Sequence, residues 1–150
     1  MMDELRELYQ SLILDHSRHP HNFKVLDSAN RTADGYNPLC GDQITLYMNV
    51  ENDVIKDISF QGQGCAISKA STSIMTTILK GKTIAEAQSI FNKFQHMIKT
   101  GEYDIDQMGK LAVLAGIHKY PVRVKCAILP WHTAINSLKS EDKAKIFSTE

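Results

Sequence analysis

The sequence predicts an α+β domain: a small antiparallel sheet of about three strands, covered on one face by helices. Three observations carry that expectation. Apolar residues alternate with polar ones from Ile44 to Val50 and again from Val54 to Gln61, the period of a half-buried strand. Glu51-Asn52-Asp53 breaks the two runs like the turn of a hairpin. After Gly64 the period lengthens to that of a helix and stays there.

Taken in order, residues 3–16 read as a helix with Leu5, Leu8, Tyr9, Leu12, Ile13 and His16 on one face, ended by His19-Pro20. Residues 24–37 read as mostly loop, with a short edge strand near Arg31–Tyr36. The hairpin follows, Ile58 and Phe60 sharing a face of its second strand. Ile67, Ala70, Ser71, Ile74, Met75 and Ile78 follow helix spacing up to Gly81. Thr83-Ile84-Ala85-Glu86 is a capping box, opening a helix that buries Ile84, Ala87, Phe91, Phe94 and Ile98 and ends at Thr100-Gly101. A short helix over Leu111–Ala115 precedes Pro121, and Val124, Ala127, Ile128, Trp131, Ile135 and Leu138 form a last apolar face. The polar tail after Lys139 is expected to fray.

At 150 residues the chain fits a single domain, 1–150, able to bury a core. Lys plus Arg and Asp plus Glu are 17 each, which argues against a broad basic surface for nucleic acid or anionic lipid. No apolar run reaches the roughly 18 residues of a membrane span. Met1-Met2-Asp3-Glu4 carries acids where a signal peptide carries bases. A cytoplasmic location follows, in which thiols stay reduced.

Cys40, Cys65 and Cys126 are the chain's 3 cysteines. Cys40 and Asp42 flank Gly41 in Asn37-Pro38-Leu39-Cys40-Gly41-Asp42. On an extended chain the two side chains share a face and suit one cation; alternatively Asp42 only hydrogen-bonds the backbone of a turn. Cys65 closes Gly62-Gln63-Gly64-Cys65 and opens a helix, whose N-terminus favours a thiolate; alternatively it is a small buried residue at a tight turn. Pro130 leaves the Cys126 carbonyl without its helical partner, so the helix is expected to kink at Cys126 or to start just after it. Arg123, Lys125 and Lys69 are candidate compensators for the negative charge of three thiolates and a carboxylate. His16, His19 and His21 read as helix-end and surface residues, as does His132, and Trp131 reads as core.

Three blocks, Asn37-Pro38-Leu39-Cys40-Gly41-Asp42, Gly62-Gln63-Gly64-Cys65-Ala66-Ile67-Ser68-Lys69-Ala70-Ser71 and Arg123-Val124-Lys125-Cys126-Ala127-Ile128-Leu129-Pro130-Trp131, resemble the IscU-like iron–sulfur cluster assembly family. The resemblance spans nearly the whole chain and implies a fold like that of IscU and the NifU N-terminal domain. Lys125 stands where the scaffold branch carries histidine, and the Cys65–Cys126 interval is longer than in scaffolds, which is similar to the SufU branch. That branch implies a zinc-dependent sulfurtransferase, taking persulfide sulfur from a partner cysteine desulfurase (a pyridoxal-phosphate enzyme) and passing it to a downstream iron–sulfur assembly complex. The resemblance further implies Cys40, Asp42, Cys65 and Cys126 as zinc ligands and Cys40 as the sulfur acceptor. Asp42 and Arg123 would assist Cys40, Arg123 by pairing with Asp42 or steadying the docked thiolate. A scaffold holding a [2Fe–2S] cluster on the same four residues is the alternative.

Overall fold

The computed structural model describes the backbone of residues 2–139 and 144–148 and the side chains of residues 7–139. Three strands, Arg31–Asn37 (β1), Asp42–Glu51 (β2) and Val54–Gln63 (β3), form an antiparallel meander with β2 in the middle. Asn52 and Asp53, with φ of 53° and 62°, supply the left-handed pair that lets the β2–β3 turn follow the strand twist. β1 pairs with β2 from Arg31↔Met48 to Asn37↔Asp42, so Asn37 and Asp42 face each other at the mouth of the first hairpin.

Around the sheet lie helices Met2–Arg18 (α1), Ala66–Leu79 (α2), Ile84–Thr100 (α3), Ile105–Met108 (α4) and Pro121–Lys139 (α5), with a 3-10 segment, Gly109–Lys119, before α5. The inward files of the sheet are Ala33, Gly35 and Asn37 on β1, Asp42, Ile44, Leu46 and Met48 on β2, and Ile55, Ile58 and Phe60 on β3. They meet Ile74, Met75, Phe94, Leu129 and Trp131 from the helices. Trp131 is core as expected: its ring stacks on Phe94 with centroids 4.6 Å apart, and its indole N–H donates to Ser71 Oγ at 3.2 Å. The capping box is present, Thr83 and Glu86 exchanging two bonds of 3.0 Å, and Gly101 closes α3 at φ 81°.

Several expectations are corrected. Residues 144–148 form a fourth strand (β4) paired parallel with β1, giving the order β3-β2-β1-β4. Part of the tail is thus ordered by the row of free N–H and C=O groups on β1, and β1 is an inner strand rather than an edge. Residues 140–143 and 149–150 lie outside those described. α5 runs unbroken from Pro121, a residue preset for the first helical position, so Cys126 lies in its second turn and not at a start. Among the described side chains of α1, the Tyr9–Ile13–His16 side faces the core; Leu8 and Leu12 are exposed because the helix docks by one edge of its stripe, and Leu5 lies outside the described side chains. His132 is not a surface residue but is half-buried, edge-on to Phe91 at 5.1 Å.

Gly35 lets α5 approach β1: a Cβ there would collide with Thr133 Oγ1 and lie 3.2 Å from Ile44 Cγ1. Gly35→Ala is expected to lower unfolding stability by about 1–3 kcal/mol in urea titrations. Burial, then the neighbouring His21 and Lys110, hold His16 below the ordinary histidine range against an opposing pull from Asp15; burial, then Lys99, does the same to His132. A histidine whose folded pKa is depressed favours the fold above its unfolded value of about 6.5, and that contribution is lost as pH falls through 6.5 toward the folded value. The urea midpoint should therefore drop between about pH 7.5 and about pH 5.5, and a His16→Gln, His132→Gln double variant should flatten that drop.

Candidate metal centre

The site forms where the β1–β2 hairpin, the start of α2 and the second turn of α5 converge. Asp42 heads the inward file of β2, so the strand period that buries Ile44 and Leu46 also buries its carboxylate. Cys40 sits in the four-residue loop Pro38–Gly41, between Leu39 and Gly41, which are both exposed. The segment is a turn running into β2 rather than the extended chain on which the two side chains would share a face. The turn, with Gly41 at φ 68°, brings Cys40 and Asp42 together. Cys65 is the N-cap of α2, its sulfur accepting the Ser68 N–H at 3.4 Å. Cys126 is fully buried on α5.

One ligand atom each from Cys40, Asp42 and Cys126 lies within 4.8 Å of the others, and Cys40 Sγ and Cys126 Sγ are 2.9 Å apart. All three cysteines are free thiols. The cluster has the size of a coordination shell, since Zn–S bonds of about 2.3 Å in a tetrahedron place sulfurs about 3.8 Å apart. Cys65, expected from the sequence as the fourth ligand, is not in this group of mutually close ligand atoms; it borders the group through its backbone N–H, which donates to Asp42 Oδ1 at 2.9 Å.

The electrostatics fit a cation. The neighbouring Cys126 thiol lowers the Cys65 thiol to about 6, against burial, with help from the Ser68 N–H. Cys126 moves up, first through the neighbouring Cys65, then through burial and the neighbouring Cys40 and Asp42. Sulfur and carboxylate donors are thus crowded together. The surrounding groups Asn37 Nδ2, Cys65 N–H and Ser68 N–H all offer hydrogen to these atoms. Ser68 Oγ is buried without a hydrogen-bond partner one turn from Cys65, a donor to which a thiolate would give an acceptor. This donor set suits a thiophilic divalent ion or an iron–sulfur cluster.

Arg123 does not meet this group. It is exposed on the first turn of α5, and among the described residues it makes no ion pair with Asp42; Asn37 and Cys65 bind that carboxylate instead. Lys69 and Lys125 are half-buried and likewise unpaired with it. Two contributors are not evident from residue type. Asn37 bonds both Asp42 and Cys126, its signal being its place at the end of the Ala33–Gly35–Asn37 inward file. Gly64 leaves room for the carboxylate: a Cβ there would lie 2.5 Å from Asp42 Oδ1.

Because Gly64 has an ordinary backbone conformation, replacing it tests that collision alone. Gly64→Ala is expected to fold with a loss of about 1–3 kcal/mol and, if the cluster holds an ion, to carry well under the metal content of the parent protein by elemental analysis.

Comparison with known proteins agrees with this geometry. A model of the NifU-like N terminal domain matches residues 8–127. The chain is 41% identical over 140 residues to the zinc-dependent sulfurtransferase SufU of Bacillus subtilis (strain 168), covering 92% of this chain and 94% of that one. It is 36% identical over 145 residues to the iron–sulfur cluster assembly scaffold protein IscU of Streptococcus pyogenes serotype M1, covering 96% and 91%. A crystal structure of a candidate iron–sulfur cluster assembly scaffold protein for the SUF system from Fervidobacterium islandicum AW-1 superposes with a TM-score of 0.82 at 35% identity, covering 89% of this chain and 98% of that one. The fold, the converging thiols and these relatives agree: the chain belongs to the NifU-like N-terminal domain family of iron–sulfur cluster assembly proteins.

Proposed function

We propose that this protein is a zinc-dependent sulfurtransferase, accepting sulfane sulfur from a cysteine desulfurase in the cytoplasm and handing it to iron–sulfur cluster assembly. The observation that carries the reading is the unequal tethering of the thiols. Cys126 is buried on a helix and Cys65 caps one, whereas Cys40 rides a short exposed loop with Cys126 as its hydrogen-bond partner. The relative named a zinc-dependent sulfurtransferase supports it.

Cys40, Asp42, Cys65 and Cys126 would hold the ion. Zinc, when bound, keeps the thiols deprotonated without redox chemistry of its own. The reacting group is the Cys40 thiolate once its loop swings outward. It attacks the terminal sulfur of the donor persulfide: a new S–S bond forms on Cys40, the donor's S–S bond breaks, and the donor cysteine leaves as thiolate with no net oxidation. Asp42 stays with the Cys65 N–H throughout, so the cleft keeps its shape while Cys40 moves. Arg123, exposed one turn before Cys126, is available to steady the outward thiolate.

A [2Fe–2S] scaffold role is the second reading, favoured by the IscU relatives. Anaerobic reconstitution separates the two: tight zinc and no stable coloured cluster supports transfer, while a stable cluster supports the scaffold.

With cysteine and a cysteine desulfurase, the protein should gain the mass of one sulfur on Cys40 and raise the rate of sulfide release under reducing conditions. Cys40→Ala should abolish both, and undiminished stimulation by that variant would remove Cys40 from the acceptor role.

A further inference from the structure

Asn37 has no charge and no nucleophile, yet its side chain touches three parts of the site. It is fully buried at the end of β1, directly across from Asp42 in the strand register. Its two amide hydrogens go to different acceptors, Asp42 Oδ2 at 3.4 Å and Cys126 Sγ at 3.7 Å. Its Oδ1 accepts the Leu39 N–H at 3.3 Å, from the residue just before Cys40. The orientation is fixed by this network, because a flipped amide would set Oδ1 against a carboxylate.

We infer that Asn37 is a positioning residue: it clamps Asp42 and Cys126 as the fixed side of the metal centre and, through Leu39, shapes the loop that carries Cys40. This deepens the metal-binding reading and rests on it. The clamp reaches both strand β2, through Asp42, and helix α5, through Cys126. A single amide thus ties a ligand on the sheet to a ligand on the helix layer. Its N–H on Cys126 also withdraws electron density from that sulfur, which leaves a spectroscopic trace that a purely structural role would not. Cys40 itself receives no bond from Asn37, whose hold on the loop is the single Leu39 N–H. Partners that orient metal ligands in this way are worth about 10–100-fold in metal affinity.

The test uses the full chain with Zn²⁺ and with Co²⁺ as a coloured substitute. Asn37→Leu keeps the size and removes every polar atom; Asn37→Ala is measured beside it because it adds no bulk. Zn²⁺ affinity by chelator competition should fall about 10–100-fold in both. The sulfur-to-Co²⁺ charge-transfer band should move to longer wavelength, since a sulfur that has lost a hydrogen bond gives up its electrons more readily. Parent-like affinity and an unmoved band in either folded variant would overturn the inference. Failure of the parent chain itself to bind Zn²⁺ or Co²⁺ would overturn the metal-binding reading, and this inference with it.

Discussion

The hydrogen bond from the Cys65 N–H to Asp42 Oδ1, at 2.9 Å, is the constraint on which the site rests. A buried carboxylate is costly unless something compensates it. Here the compensation is the N-terminal end of α2, where unpaired N–H groups and the helix dipole favour negative charge. That bond decides where sheet and helix layer may touch. It brings Gly64 against the carboxylate and leaves Cys65 as the helix cap with its sulfur turned back on the Ser68 N–H. Two potential ligands are therefore placed by one interaction before any cation is considered.

The remaining arrangement is electrostatically incomplete in a way that explains its use. Donors converge on Asp42, Cys65 and Cys126, but among the described residues no Lys or Arg side chain pairs with them. Structural anion sites in proteins are usually neutralised by paired cations. A pocket that collects thiols and a carboxylate while leaving them only neutral hydrogen-bond donors has the chemistry of a cation site. The overall charge balance of the chain, 17 basic against 17 acidic residues, gives no hint of this local deficit.

Much of the fold is legible because local rules and tertiary packing agree. Alternation from Ile44 to Phe60 matches the inward files of β2 and β3, and the Thr83–Glu86 box caps α3 as its spacing requires. What escapes is decided by partners distant in the chain. β4 exists because β1 offers an open edge, a fact invisible in the residues of the tail. Leu8 and Leu12 fit a helical stripe as well as Tyr9 and Ile13 do, and only docking geometry chooses between them. The four ligand candidates are legible as residue types in special local settings, and as a family resemblance; the convergence of Cys126 on Cys40 and Asp42 is not, because an interval of 86 residues carries no local geometry. Asn37 is hardest to see, since its meaning lies in an acceptor 89 residues away.

The proposal that Cys40 and not another thiol carries sulfur is supported by what each would break by moving. Cys126 sits inside α5, below Ala127, whose carbonyl is held by Ser71 Oγ at 2.6 Å; drawing it out would unseat a helix. Cys65 would surrender the α2 cap and disturb the N–H that Asp42 needs. Cys40 disturbs least: its loop is four residues long, flanked by an exposed Leu39 and a Gly41 whose left-handed backbone tolerates rotation. The strand pair Asn37↔Asp42 closes the hairpin beneath it, so motion of the loop does not propagate into the sheet. The proposed transfer needs one ligand that leaves and several that stay, and this hairpin separates Cys40, above its last paired residues, from the Asp42 carboxylate within them.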